Sequence, residues 1–211
     1  MAHVVVIGGS SGIGLETVKL ALERDHTVRA FARSASGIDL DHPKLEKFDG
    51  DALDRDSVEA ALDGVDAVVQ TLGIKLNPGT VLGGTELFSK ATRILIPAMK
   101  TKGVERLITV TGYGAGDSGE TMNPLNRIGF NAVFARIYAD KSIQETMIKD
   151  SDLDWTIARP VVLTGGKCGS YNVRVEPSDW AMGMISRASV ADFLVSEIEN
   201  PQHIQQAPVL N

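Results

Sequence analysis

A glycine-rich segment near the start of the chain carries the clearest chemical signal in the sequence. Four glycines, Gly8, Gly9, Gly12 and Gly14, follow an apolar β-branched run at 4–7, and an apolar-periodic helix comes next. Glycine permits sharp turns and lets a ligand approach the main chain closely. Because the N–H groups and positive dipole end of such a helix bind a pyrophosphate, the segment predicts a dinucleotide site. The expected contacts are Gly8, Ser10, Ser11, Gly12, Ile13 and Gly14.

Arg33 and Ser34 follow the second predicted strand, where the adenosine ribose lies in a doubly wound fold. An acidic residue there would accept a hydrogen bond from the 2′-hydroxyl of NAD. Arginine instead offers a planar fork of donors to a 2′-phosphate, and Ser34 adds a hydroxyl. The pair therefore favours NADP over NAD, the alternative being that Arg33 is an ordinary solvated surface arginine.

Strands and helices alternate along the chain, which predicts parallel strands joined by crossover helices. The expected strands are 3–8, 26–32, 44–48, 66–71, 106–110 and 154–158, and the expected helices are 12–25, 55–62, 83–102, 128–150 and 189–199. A length of 211 residues fits one α/β domain over 1–211, with a Rossmann-type doubly wound parallel sheet in three α/β/α layers. Residues from about 160 to 211 are expected to form a minimal C-terminal cap, with a short strand at 171–175 and an edge strand at 208–210.

The spacing GxxxGxG of Gly8, Gly12 and Gly14 resembles the TGxxxGxG turn of the short-chain dehydrogenase/reductase superfamily, with Ile7 in place of the threonine. Further segments are similar to its atypical, NmrA-like branch, which is related to biliverdin reductase B and flavin reductase. They are GAGDS at 114–118, SDLDWTIARP at 151–160 and RASVADF at 187–193. The resemblance implies a seven-stranded doubly wound sheet with NAD or NADP across the carboxyl ends of its strands.

The resemblance also implies cofactor contacts after the later strands. Asp51 would reach the adenine amino group, with Ala52 packed on the ring, although a simple turn closed by an Asx cap fits Asp51 equally well. After the fourth strand, Gly73 would let the main chain pass close to a cofactor ribose. The expected contacts after the fourth and sixth strands are Thr71, Leu72 and Gly73, and Pro160, Val161 and Val162.

Candidate catalytic residues follow the fifth strand and lie in the long helix after it. Standard members of the superfamily carry a serine that polarises the substrate carbonyl, and Thr111 could use its hydroxyl in the same way. They also carry YxxxK, whereas this chain has YxxK, formed by Tyr138 and Lys141. The resemblance to the atypical branch implies that Lys141 is a cofactor-ribose contact and leaves two roles for Tyr138, a catalytic acid or a side chain displaced from the carbonyl. Tyr113 is a rival acid, and both tyrosines could instead be packing aromatics.

The overall composition limits the possible partners. A formal net charge of −6 and a pI near 5.2 argue against nucleic acid and anionic membranes, which require clustered basic residues. With one cysteine, Cys168, no internal disulfide can form, and we expect a cytoplasmic protein. The four histidines have no paired spacing, so no metal site is expected, while monomer and homodimer both stay open.

Two functions fit these patterns. The leading one is an NADPH-dependent reductase that passes a hydride to a small flavin, quinone or carbonyl acceptor in an open pocket. The alternative is a non-catalytic NADP(H)-binding sensor that acts through a protein partner, because the standard tyrosine–lysine motif is missing. The short region after the sixth strand favours the enzyme.

Overall fold

The computed structural model describes residues 1–75, 77–121 and 124–211, with the backbone alone for 124–132. The helices are α1 Gly12–Glu23, α2 Arg55–Ala61, α3 Pro78–Gly83, α4 Leu87–Lys102, α5 Pro124–Lys149 and α6 Arg187–Glu199. The strands are β1 His3–Ile7, β2 Thr27–Ala32, β3 Leu45–Asp49, β4 Ala67–Gln70, β5 Arg106–Val110, β6 Asp154–Pro160, β7 Val162–Thr164, β8 Val173–Arg174, β9 Met184–Ser186 and β10 Val209–Leu210.

The described residues form an eight-stranded sheet in the order β3-β2-β1-β4-β5-β6-β10-β8. The strands from β3 to β10 in this order pair in parallel, and β10 pairs antiparallel with β8. The chain runs outward from β1 in one direction and then crosses to β4 and continues in the other. This reversal confirms the predicted doubly wound Rossmann-type sheet.

The central strands are apolar on both faces because helices cover both. Val4 and Val6 contribute to a core with α1 and α6, whereas Val5 and Ile7 contribute to a second core with α2, α4 and α5. Successive side chains of a strand point to opposite faces, so one short run of β1 serves both cores. The result is the expected three-layer arrangement.

The C-terminal region differs from the expectation. Val209 and Leu210 are an internal strand rather than an edge strand, because they pair with both β6 and β8. With β8 beside β10 at the edge, the sheet has eight strands instead of the seven that the resemblance implied. Beyond the sheet, β7 and β9 form a separate parallel pair that starts directly after β6.

The helix expected at 83–102 begins later, as α4 at Leu87, and a separate short helix, α3, lies before it. Gly84 ends α3 with a φ of +75°, a conformation that favours glycine and stops the helix. The start of α4 is then capped from a distance, since Asp140 on α5 accepts a hydrogen bond from the N–H of Phe88 at 2.9 Å. In the described part of the chain, no helix has the length and apolarity needed to cross a membrane.

Candidate functional site

The turn between β1 and α1 is closed so tightly that it requires glycine. Gly8 has a φ of +88°, and its N–H donates to the carbonyl of Phe31 at 2.8 Å. A Cβ atom on Gly14 would lie 2.2 Å from the Gly8 carbonyl oxygen and 2.6 Å from Oγ1 of Thr71. The first turn of α1 is thus seated directly against β1 and the end of β4, with no room for a side chain.

The N-terminus of α1 presents main-chain donors. Ser11 is the N-cap residue with a φ of −160°, and its side chain makes no capping hydrogen bond among the described residues. The first N–H groups of a helix have no partner inside the helix, and they carry its positive dipole end. Ser11 and Gly12 are exposed and Ser10 and Ile13 partly so, so these donors can meet an anionic ligand.

Strand register brings the other expected cofactor contacts to the same edge of the sheet. Ile7 is opposite both Phe31 and Gln70, and Val110 is opposite Ala158, so the parallel strands end close together. The residues that leave the sheet at this edge are Arg33, Ser34, Asp51, Ala52, Thr71, Leu72, Gly73, Thr111, Val161 and Val162, next to Pro160 at the end of β6. Ligands of doubly wound folds bind at this edge.

Arg33 lies at the end of β2 with its guanidinium available. It is exposed, and the described residues offer it no hydrogen bond or ion pair. The nearby Asp49 carboxylate accepts the N–H of Ser36 at 2.8 Å, and this hydrogen bond lowers the pKa of Asp49. Arg29, in contrast, already has a partner, since its guanidinium pairs with the carboxylate of Glu46 on β3 at 2.7 Å.

The contacts expected after β3 and β4 also take part in local hydrogen bonds. Asp51 closes an Asx turn by accepting the N–H of Leu53 at 2.9 Å, yet its side chain stays exposed. Thr71 donates its hydroxyl to the carbonyl of Ile7 at 3.0 Å, which ties the end of β4 to β1. Gly73 is exposed, with no described atom within 4 Å of an added Cβ.

Lys141 lies on the face of α5 that covers the end of β5. Its ammonium donates to the main-chain carbonyl of Thr111, and it lies 4.9 Å from the ring centroid of Phe88 and 5.2 Å from that of Tyr138. Burial lowers the pKa of Lys141 to about 8, and the charge of Glu145 opposes that change. Burial thus weakens the hold of Lys141 on its proton.

Tyr138 lies one helical turn before Lys141 and reaches the turn after β5. A Cβ atom on Gly112 would be 2.5 Å from the Tyr138 hydroxyl, so the missing side chain makes the room that Tyr138 occupies. Burial, followed by the charge of Glu145, raises the pKa of Tyr138 to about 12. The phenol is thus a weak acid in this environment.

The two other candidate catalytic residues are buried, and their hydroxyl groups lie next to protein side chains. Thr111 is 2% exposed, and its hydroxyl donates to Oε1 of Glu145 at 2.7 Å. The hydroxyl proton is therefore not free for a substrate carbonyl. Tyr113 is a core residue at 4% exposure, and its hydroxyl lies 3.3 Å from Oγ1 of Thr121. Of the two tyrosines, Tyr138 is therefore the better placed for a ligand.

The sequence patterns did not predict the buried ion pair between Arg159 and Glu145. Arg159 on β6 and Glu145 on α5 are 0% and 1% exposed, and Nε of Arg159 donates to Oε1 of Glu145 at 3.1 Å. The Arg159 guanidinium also contacts Asp117 in the loop after β5. The available signal was Glu145 four residues after Lys141, on the same helix face, together with an arginine inside an apolar strand.

Comparison with known proteins agrees with this geometry. A family model described as NAD(P)H-binding matches residues 8–201. The uncharacterized protein YwnB of Bacillus subtilis is 27% identical over 212 residues, covering 94% of this chain and 92% of YwnB. A 3β-hydroxysteroid dehydrogenase/Δ5→4-isomerase of Mycobacterium tuberculosis is 39% identical over 74 residues, which are 35% of this chain. The match spans only 20% of that relative's length.

Solved structures share the fold over almost the whole chain. ChuY, described as an anaerobillin reductase from Escherichia coli O157:H7, has a TM-score of 0.79 at 24% identity and covers 99% of this chain and 95% of its own. A short-chain dehydrogenase/reductase from Veillonella parvula, in complex with NADP, has a TM-score of 0.83 at 15% identity. That match covers 100% of this chain and 95% of the other.

Proposed function

We propose that this chain, which belongs to the NAD(P)H-binding family, is an NADPH-dependent reductase of a small flavin, quinone or carbonyl acceptor. The observation that carries the proposal is the glycine turn, where a Cβ on Gly14 would collide with the Gly8 carbonyl at 2.2 Å. The turn leads directly into the N-terminus of α1, where the Ser11 side chain makes no capping hydrogen bond with the described residues. A cradle of this kind fits a dinucleotide pyrophosphate.

The preference for NADPH rests on Arg33. Its exposed guanidinium has no partner among the described residues and lies one residue beyond β2. Asp49, the register partner of Ala32, already accepts a hydrogen bond from the N–H of Ser36. A free arginine at this position suits a 2′-phosphate through charge-assisted hydrogen bonds, which are stronger than neutral ones.

An exposed apolar surface supports a flat, apolar acceptor. Val162 and Met184 are register partners in the β7–β9 pair and are 52% and 73% exposed, and Met182 is 43% exposed. We call these three residues the apolar rim. The rim begins two residues after β6, beside the predicted nicotinamide end of the cofactor site. Methionine side chains adapt to planar surfaces, so the rim suits an aromatic or quinone ring.

In the reaction, the protein itself binds the cofactor, orients it and excludes competing reactions. When bound, the reduced nicotinamide supplies the hydride. Lys141 would contact the nicotinamide ribose, held in place by the Thr111 carbonyl. Because Tyr138 has a pKa of about 12, it is a poor proton donor at neutral pH, and solvent would protonate the reduced acceptor.

A second function also fits the candidate site, that of an NADP(H)-binding sensor without turnover. It is favoured by the engagement of the Thr111 hydroxyl with Glu145, which leaves no free donor for a carbonyl at this position. A sensor would bind the cofactor and present it to a protein partner. In this case the apolar rim would be a protein contact rather than an acceptor site.

The two functions are separated by measuring NADPH oxidation with a panel of flavins, quinones and aldehydes, together with direct NADPH binding. Acceptor-dependent oxidation is the expected result. Met184→Ser should raise the Michaelis constant for a quinone, while Leu82→Ser, at a residue of 71% exposure on α3, serves as the control. Tight NADPH binding without oxidation by any acceptor would instead identify a sensor.

A further inference from the structure

We propose that Glu145 is a positioning residue for the candidate cofactor site, whose buried carboxylate fixes Thr111 and Lys141 relative to the ends of β5 and β6. The inference rests on the proposed function, because the site that it positions is the nicotinamide end. Glu145 touches neither cofactor nor substrate in this scheme and acts through its neighbours.

The contacts form a continuous chain across three elements. Oε1 of Glu145 accepts hydrogen bonds from Thr111 Oγ1 at 2.7 Å and from Arg159 Nε at 3.1 Å, and Oε2 accepts from Arg159 Nη2 at 2.5 Å. The carbonyl of the same Thr111 then accepts from the ammonium of Lys141. One carboxylate on α5 is thus linked to the Lys141 ammonium through Thr111, the residue that directly follows β5.

The loop after β5 closes over this carboxylate. A Cβ atom on Gly116 would be 2.4 Å from Oε2 of Glu145, so only glycine allows the approach. The N–H of Gly116 donates to Ser142 Oγ at 2.9 Å, and that hydroxyl donates to the carbonyl of Tyr138 at 2.8 Å. The loop after β5, helix α5 and the ion pair are therefore coupled, and a shift of the Glu145 carboxylate would shift all three.

Stability alone does not explain a fully buried ion pair. The desolvation of two charges offsets most of their attraction. Well-packed apolar residues in place of such a pair often give equal stability. Here every oxygen of the carboxylate is used, and the Arg159 guanidinium stacks 5.1 Å from the ring centroid of Trp180. An ion pair with such directional contacts specifies geometry, which is the property that a site for a precisely oriented nicotinamide requires.

The charge of Glu145 also acts on Lys141. The groups around the Lys141 ammonium are Tyr138 and Glu145 from its own helix, the Phe88 ring from α4 and the carbonyl of Thr111 directly after β5. Arg159 from β6 pairs with Glu145 and with Asp117 of the loop after β5. Asp140, which precedes Lys141 on α5, accepts the N–H of Phe88. Neutralising Glu145 should therefore lower the pKa of Lys141 below its value of about 8.

A second buried ion pair provides a matched control. Arg106 at the first residue of β5 pairs with Glu197 of α6 at 3.0 Å, and their side chains are 12% and 3% exposed. This pair lies at the amino end of β5, whereas Glu145 lies at the carboxyl end of the same strand. Glu197→Gln thus breaks a comparable pair far from the candidate site.

The experiment compares the wild type, Glu145→Gln and Glu197→Gln in two measurements. The first follows the titration of Lys141 by NMR in the free protein, and the second follows NADPH affinity by calorimetry as the pH is raised. In Glu145→Gln the Lys141 midpoint should fall by roughly one pH unit, and NADPH affinity at pH 8 should fall roughly fivefold, in step with the charged fraction of Lys141. Glu197→Gln should lose thermal stability but keep both values.

An unchanged Lys141 midpoint and unchanged NADPH affinity in a folded Glu145→Gln would overturn the proposal. Should that variant not fold, Thr111→Val removes the link while it preserves the ion pair, and a normal NADPH affinity in Thr111→Val would have the same consequence. The NMR titration does not depend on catalysis, so a protein without reductase activity would refute the proposed function and leave the Glu145 measurement intact.

Discussion

The hydroxyl of Tyr138 lies against the main chain of Gly112, in the space that any other residue at position 112 would fill. The Lys141 ammonium lies over the ring of Tyr138 and donates to the carbonyl of Thr111. Burial and the charge of Glu145 control the pKa of Tyr138 and raise it to about 12. Burial thus opposes, at Tyr138, the lowered phenol pKa that makes a tyrosine–lysine dyad an acid.

Tyr138→Phe should leave turnover with a quinone or flavin within a few-fold of the wild type. A working general acid contributes roughly 10² to 10⁴-fold, so the two cases are easily separated. Steady-state kinetics at saturating NADPH gives the answer. A loss of two orders of magnitude with intact NADPH binding would identify Tyr138 as the acid of a standard carbonyl reductase.

Arg33→Ala should weaken NADPH binding by roughly tenfold and leave NADH binding nearly unchanged. A charge-assisted hydrogen bond contributes about 1.5–3 kcal/mol, and only NADPH has the 2′-phosphate that Arg33 would meet. Arg93→Ala, at an exposed position of α4, removes the same charge away from the site and serves as the control. Equal losses for both cofactors on calorimetry would place Arg33 elsewhere.

Gly14→Ala should abolish measurable NADPH binding. The added Cβ would lie 2.2 Å from a main-chain oxygen of Gly8, which cannot move without opening the turn. Such overpacking costs about 1–3 kcal/mol of stability, so circular dichroism should still show a folded protein. Gly83→Ala, where an added Cβ meets no described atom within 4 Å, should bind NADPH normally. A folded Gly14→Ala with normal affinity would refute the site.

Lys141→Met should increase the free energy of unfolding at pH 7 by roughly 1–3 kcal/mol while it weakens NADPH binding. Burial lowers the pKa of Lys141 from 10.5 to about 8, so between those pH values the unfolded chain binds more protons than the folded one. Wild-type stability should therefore rise as the pH increases through this window, and the variant should lack that rise. Urea unfolding at several pH values measures both effects, and a less stable variant at pH 7 would contradict the prediction.

Local patterns were sufficient for the parts of the fold that are fixed by neighbours in sequence. The apolar run before Gly8 and the periodic helix after Gly14 predicted β1 and α1, because both signals lie within a few residues. They were not sufficient for Val209 and Leu210, whose internal position depends on pairing with β6 and β8. A two-residue strand carries too little pattern to indicate its neighbours.

The candidate site shows the same division. Glycine spacing and strand ends predicted which residues meet at one edge of the sheet, but the engagement of Thr111 by Glu145 depends on how α5 packs against β5. The role of Asp140 was also hidden, since it caps α4 from another helix. Buried charges are explained by partners that are distant in sequence, and a single sequence does not show such partners.

The most direct test of the proposed reductase is a single-turnover experiment with enzyme in excess over NADPH and a quinone or flavin as acceptor. We predict that the absorbance of the reduced nicotinamide decays far faster than without protein, that Tyr138→Phe retains the decay and that Gly14→Ala eliminates it. Bound NADPH that stays reduced in the presence of every flavin, quinone and aldehyde would contradict the proposal and establish cofactor binding without hydride transfer.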